Sequence, residues 1–178
     1  IQHRYPYVYI FVYGMYRYND TSEGGIMLRI IHNISELKFS ELMKVYCESN
    51  RDNGKERFRG DSENTQIRKA EEDFYHYLNS VFFRQNNSFY IIWEDNGSYK
   101  AALRLEPYCD GYLLCALETV PDSRNKGFAT VLIKQTRDYL SQFGNGVIYS
   151  HVSKGNHPSL AAHRKCGFQI TKDYAVYS

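Results

Sequence analysis

VPDSRNKGFATVLIKQTRDYL, residues 120–140, takes the chain from the end of a strand into a helix. Pro121 and Asp122 stop the strand. Phe128, Val131, Leu132, Thr136, Tyr139, Leu140 and Phe143 then recur at helical spacing, and Gly144 closes the run. The mouth of this helix is its unusual part. Gly127 and Ala129 stand where bulkier residues are common, with Arg124 and Lys126 beside them. A helix start leaves backbone N–H groups unpaired and carries a positive end of about half an elementary charge. It binds anions when the ligand can reach the backbone, and two small residues clear that approach. The stretch therefore reads as a diphosphate cradle on a strand-to-helix loop, although a glycine in such a loop is also ordinary turn chemistry. Neither GxxxxGK[ST] nor a GxGxxG after a strand occurs, so those two phosphate loops are excluded.

Working outward, elements alternate in an orderly way. Residues 28–32 read as a strand. Asn33 with Glu36 resembles a capping box and predicts a helix with Ile34, Leu37, Leu42, Val45 and Tyr46 on one face. Residues 51–64, RDNGKERFRGDSEN, are polar and glycine-punctuated and predict a loop. Ile67, Ala70, Phe74, Leu78, Val81 and Phe82 predict a second helix. Residues 88–94 and 98–106 are strands around Asn96-Gly97, a hairpin signal, and residues 111–120 complete an antiparallel meander. After the helix of the opening stretch, residues 146–152 form a strand. The strand–helix–strand order predicts parallel pairing of the two flanking strands. A short helix at 158–166, closed by Gly167, and a strand at 168–177 finish the chain.

The 178 residues suffice for one domain with its own core, and no repeat or second domain is visible. A net charge of +2 with no basic block gives no reason to expect nucleic acid or an anionic membrane as partner. No run approaches the roughly 18 apolar residues of a membrane span. Cys47, Cys109, Cys115 and Cys166 lack CxxC spacing, so no metal site is expected and the thiols suit a reducing compartment, the cytoplasm. Residues 1–26 alternate tyrosine with aliphatics and then turn polar, which suits an added strand. Met27 resembles a natural start, so residues 1–26 are set apart as a leader and residues 27–178 as the domain.

R124-N-K-G-F-A129, preceded by Val120-Pro121, resembles the Arg/Gln-x-x-Gly-x-Gly/Ala acetyl-CoA motif of the GNAT N-acetyltransferase superfamily. N156-H-P-S-L-A-A-H-R-K-C-G-F168 is similar to the second signature of that superfamily, an asparagine followed by a helix ending in Gly-Phe. The element order from Leu28 onward also matches. The resemblance implies an α/β (α+β) fold with a mixed, mostly antiparallel sheet, one splayed parallel pair and about four flanking helices. It implies acetyl-CoA as cosubstrate, held by the loop Arg124, Asn125, Lys126, Gly127, Phe128, Ala129 and Thr130. It further implies that the pantetheine arm lies in the splay, paired to the backbone of Leu117 and Val120, with Asn156 touching the cofactor.

The reaction so implied is attack of a primary amine on a thioester carbonyl, with a thiolate leaving. A base for the amine and an acid for the thiolate both help. Glu118 is the carboxylate beside the splay and the expected base. The superfamily often places an acidic tyrosine four residues before the Gly of Gly-Phe. This chain has His163 there, a departure that assigns the acid role to an imidazole. Taken on residue type alone, a strand glutamate also suits an ion pair and a helical histidine also suits a surface.

Arg104 and Glu106 share a strand face and are expected to line the acceptor pocket, together with the loop 51–64 and residues 108–110. Neither buried Cys115 nor Cys166, at a helix C-terminus, suits an acyl-enzyme, so transfer is expected to be direct through a ternary complex. The acceptor is a small-molecule or peptide amine, and the enzyme a monomer or a dimer. A non-catalytic CoA-binding sensor or interaction module of the same fold is the alternative.

Overall fold

The computed structural model describes residues 7–12, 26–144 and 147–172. Among these the strands are β1 (Tyr7–Val12), β2 (Ile26–Ile31), β3 (Phe89–Asp95), β4 (Ser98–Tyr108), β5 (Gly111–Thr119), β6 (Ile148–Ser153) and β7 (Gln169–Lys172). The α-helices are α1 (Phe39–Val45), α2 (Cys47–Arg57), α3 (Glu63–Ser80), α4 (Phe128–Ser141) and α5 (His157–Lys165). One sheet holds the strands in the order β2-β3-β4-β5-β6-β1-β7. Every neighbouring pair is antiparallel except β5 and β6, which are parallel and joined through α4. The mixed, mostly antiparallel fold with one parallel pair is as expected from the sequence.

The two-residue period of the strands sorts side chains into two cores. Phe89 and Ile91 of β3, with Leu103 and Leu105 of β4, pack against Leu132, Ile133 and Leu140 of α4 and Leu160 of α5. Tyr90 and Ile92, with Ala102, face the other way onto Leu42, Val45 and Tyr46 and onto Leu78 and Phe82. Helices therefore cover both faces, and β3 is buried along most of its length.

Three expectations are corrected. The first helix is broken: Asn33 caps a single 3-10 turn, Ile34–Glu36, Leu37 is extended, and α1 starts afresh at Phe39. Most of residues 51–64 is not loop, because α2 runs on to Arg57. Its Gly54 lies against α3, where an added Cβ would stand 2.7 Å from the Gln66 carbonyl oxygen, so only glycine permits this approach. In α4 the buried set is Leu132, Ile133, Thr136 and Leu140, while Val131 and Phe143 are exposed. Within residues 1–26, Tyr7–Val12 form β1, which pairs antiparallel with β6 and β7 inside the sheet. Of the expected last strand, residues 173–177 lie outside the described residues, as does Gly146 of the strand before it.

Candidate active site

The parallel pair opens into a groove. β5 and β6 pair at Tyr112 with Ile148, Leu113 with Tyr149 and Leu114 with Ser150, and pair no further. A bulge bends β5 at that point: its register against β4 shifts between Ala102 and Arg104, and Ala116 has φ 49°. The Tyr46 hydroxyl fixes the bulge by donating to the Ala116 carbonyl oxygen at 2.7 Å. Beyond it lies a cavity of about 780 Å³. Leu117, Glu118 and Thr119 line one side. Arg124, Asn125, Gly127, Phe128, Ala129 and Thr130 form the α4 end, and Asn156, Ser159 and Lys165 the α5 side.

The α4 mouth has the form an anion needs. Gly127 is the N-cap at φ 85°, and Asn125 is also left-handed at φ 60°. The first bond of the helix runs from Val131 N–H to Gly127 O at 3.0 Å, leaving the amides ahead of it for a ligand. Arg124 borders the cavity but is tied down, its guanidinium donating to Glu48 at 2.6 Å and to Thr119 O at 3.3 Å. Asn156 caps α5 by accepting from Ser159 N–H at 3.1 Å.

Two expected contacts stand apart. Lys126 donates to Asp122 O at 2.9 Å and does not line the cavity. The Val120 N–H is already spent on Lys100 O at 2.9 Å, so it has no hydrogen to offer a pantetheine amide. Lys165 is the groove cation that the sequence reading missed, one residue before Cys166 in the second signature.

A second cavity of about 490 Å³ adjoins the first. Ser49, Ala116 and Glu118 border both. Tyr46, Asn50, Asn53 and Arg57 line it from the α1–α2 side, Asp73, Phe74 and Tyr77 from α3, and Arg104 from the sheet. Arg104 was expected here. Glu106 and residues 108–110 are not among its lining residues, and α2 takes the place of the expected loop. Glu118 accepts a hydrogen bond from the Ser49 hydroxyl. Burial raises its carboxyl above the ordinary value, opposed by the Ser49 bond and the nearby Arg124 charge.

His163 does not reach either cavity. It is 1% exposed, with Nε2 at 2.9 Å from Ser150 Oγ, Nδ1 at 2.8 Å from Ser159 O, and its ring against Phe168. Both nitrogens are engaged and burial lowers its pKa, so the acid role read from its register is corrected to a packing role. His163→Phe is expected to keep turnover and to lose about 1–3 kcal/mol of stability, because Ser150 is left buried without a partner. Below pH about 6.5 an unfolded histidine takes up a proton that the folded one resists. The stability given by neutral His163 is therefore full above that pH and declines as pH falls through it. Thermal melts between pH 5 and 8 should show a shallower acid decline in the variant.

Burial pushes the Cys115 thiol up to about 11 and raises that of Cys166. Among the described residues no group of three or more His, Cys, Asp or Glu could hold a metal, and no helix is long and apolar enough to cross a membrane.

The sequence matches the Acetyltransferase (GNAT) family over residues 39–168. No curated protein matches the chain in sequence. Among solved structures, the aminoglycoside N-acetyltransferase AAC(6')-Iy in complex with CoA is similar, with TM-score 0.54 and 16% identity over 90% of this chain and 98% of that one. The PaiA N-acetyltransferase of Thermoplasma acidophilum in complex with coenzyme A aligns with TM-score 0.55 and 13% identity over 78% and 87% of the two chains. An N-acetyltransferase of Staphylococcus aureus Mu50 gives 0.57 and 14% over 83% and 85%. At these identities the likeness establishes the fold.

Proposed function

The chain belongs to the Acetyltransferase (GNAT) family, enzymes of acetyl-CoA-dependent acetyl transfer, and from that premise we propose that it acetylates a primary amine by direct attack within a ternary complex. The observation that carries this reading is the position of Glu118 on the wall shared by the two cavities. One cavity ends in unpaired helix amides and the other is a pocket of acceptor size, about 490 Å³, so the shared wall is where two substrates meet.

Acetyl-CoA supplies the thioester carbonyl. The amides of Asn125 to Thr130 at the α4 mouth hold its diphosphate, with Lys165 adding charge along the groove. Leu117 lies past Leu114, the last residue of β5 paired with β6, so its backbone faces the arm as an added strand would. Glu118 takes the proton from the acceptor amine. Its raised pKa brings the carboxylate closer to that of the amine and makes it a stronger base, while Ser49 keeps one oxygen oriented. Neither Cys115 nor Cys166 has a thiol poised to ionise, which favours transfer without an acyl-enzyme.

Thiol release from acetyl-CoA with a panel of primary amines tests the activity, and initial rates test the route. Intersecting double-reciprocal lines are expected. Parallel lines together with a cysteine acetylated by acetyl-CoA alone would overturn direct transfer. CoA binding without thiol release from any amine would leave a CoA-binding module.

A further inference from the structure

The acceptor cavity holds a buried cation that forms no ion pair among the described residues. Arg104 lies on β4 within the sheet, and its Nε and Nη1 are buried and donate to no acceptor among the described residues. Three rings surround the guanidinium: Tyr77 at 5.1 Å, Phe82 at 5.5 Å and Phe74 at 5.9 Å. The other cation of the cavity, Arg57, is already paired with Asp73 at 2.7 Å. Glu106, two residues along β4, receives the Tyr77 hydroxyl at 3.5 Å and forms no ion pair with Arg104. Burying a charge without a partner is costly, and ring faces compensate only part of that cost. A planar guanidinium held in this way is organised for a carboxylate.

We propose, building on the transferase reading above, that the acceptor is an amine that also carries a carboxylate, an amino acid or a close analogue, with Arg104 as the anchor of its carboxylate. Geometry supports the pairing. Glu118 sits opposite Ala102, and Arg104 is two residues further along the same face, roughly 7 Å of strand. A molecule whose carboxylate reaches Arg104 thus presents its amine to Glu118, which faces the thioester groove. Phe74 and Tyr77 give the acceptor side chain an apolar wall. Purely cationic acceptors would place a second positive charge beside Arg104.

Matched acids and carboxamides test it: each common amino acid and its amide, assayed by thiol release and by calorimetric binding to the CoA-loaded chain. At least one acid should exceed its amide tenfold or more in kcat/KM and in affinity. In Arg104→Met that preference should collapse toward one, and Arg104→Lys should restore part of it. Retained CoA binding by both variants establishes that they are folded, and if Arg104→Met fails this check Arg104→Lys alone carries the comparison. Equal use of acid and amide by the wild-type chain, or a preference unchanged in the variants, overturns the anchor. Acid-selective, Arg104-dependent binding with no thiol release supports the anchor and defeats the transferase reading instead; no selective binding at all defeats the anchor whatever the turnover.

Discussion

Glu118→Gln lowers kcat by about 10²- to 10⁴-fold, the range of a lost general base, and leaves affinity for CoA within about twofold. The substitution keeps the shape and the ability to accept from Ser49. What it removes is the carboxylate on the wall between the cavities, the proposed proton acceptor. Unfolding does not explain such a loss, since a buried carboxylate held above its ordinary pKa costs stability when ionised and a neutral amide does not. The melting temperature should stay level or rise. The pH dependence gives a second reading. As the proposed base Glu118 would work as the carboxylate, so kcat/KM in the wild-type enzyme is expected to fall as pH drops through its raised pKa, and this acid limb to be lost in the Gln variant. Ser49→Ala removes a bond that favours the charged form and should move the limb to higher pH. A Gln variant with full turnover would remove Glu118 from the reaction.

The parts of the fold that were legible are those where local chemistry and tertiary packing agree. Asn96-Gly97 between alternating strands yields the β3–β4 hairpin, since a tight turn needs residues that tolerate positive φ, and both have it. The helix α2 was not legible. Its sequence, CESNRDNGKER, has no apolar stripe, and what holds it is contact with α3 at Gly54. Such a contact between segments distant in pattern leaves no periodic signal. The break at Leu37 was hidden for the opposite reason. Its neighbours keep helical spacing while its own backbone turns extended.

The candidate site divides along the same line. Most of the α4 mouth was readable because two small residues beside two cations at a helix start clear a path to its amides, and Asn125, Gly127, Phe128, Ala129 and Thr130 all border the groove. His163 was misplaced because a motif register fixes the turn of a helix and not its face. The signal that corrects it was present: Leu160 and His163 are three apart, so they share a face, and both are buried. Arg104 carried a comparable signal. On β4 it takes a place in the alternation beside Ala102, a core residue, where a charge is out of keeping unless something binds it.

Gly127→Val weakens CoA binding by at least about 100-fold. Space is not the obstacle, since a Cβ on Gly127 would meet nothing within 4 Å. The backbone is. Gly127 holds φ 85°, and a β-branched residue there costs about 1–3 kcal/mol or forces the loop into another conformation. Either way the amides from Asn125 to Thr130 lose their common aim. Hydrogen bonds from such amides to a charged phosphate are worth about 1.5–3 kcal/mol each, so two lost bonds amount to roughly 3 kcal/mol, and 1.4 kcal/mol is tenfold. Gly127→Ala keeps the strain but lacks the second β-carbon branch, and should fall between the two. Gly60 supplies the control: it has φ 99°, equally open surroundings and a place in the α2–α3 connection away from the groove. Gly60→Val should cost similar stability and leave CoA affinity unchanged. Calorimetry of the three variants separates strain from binding. If Gly127→Val binds CoA as the wild type does, the diphosphate is held elsewhere than at the mouth of α4.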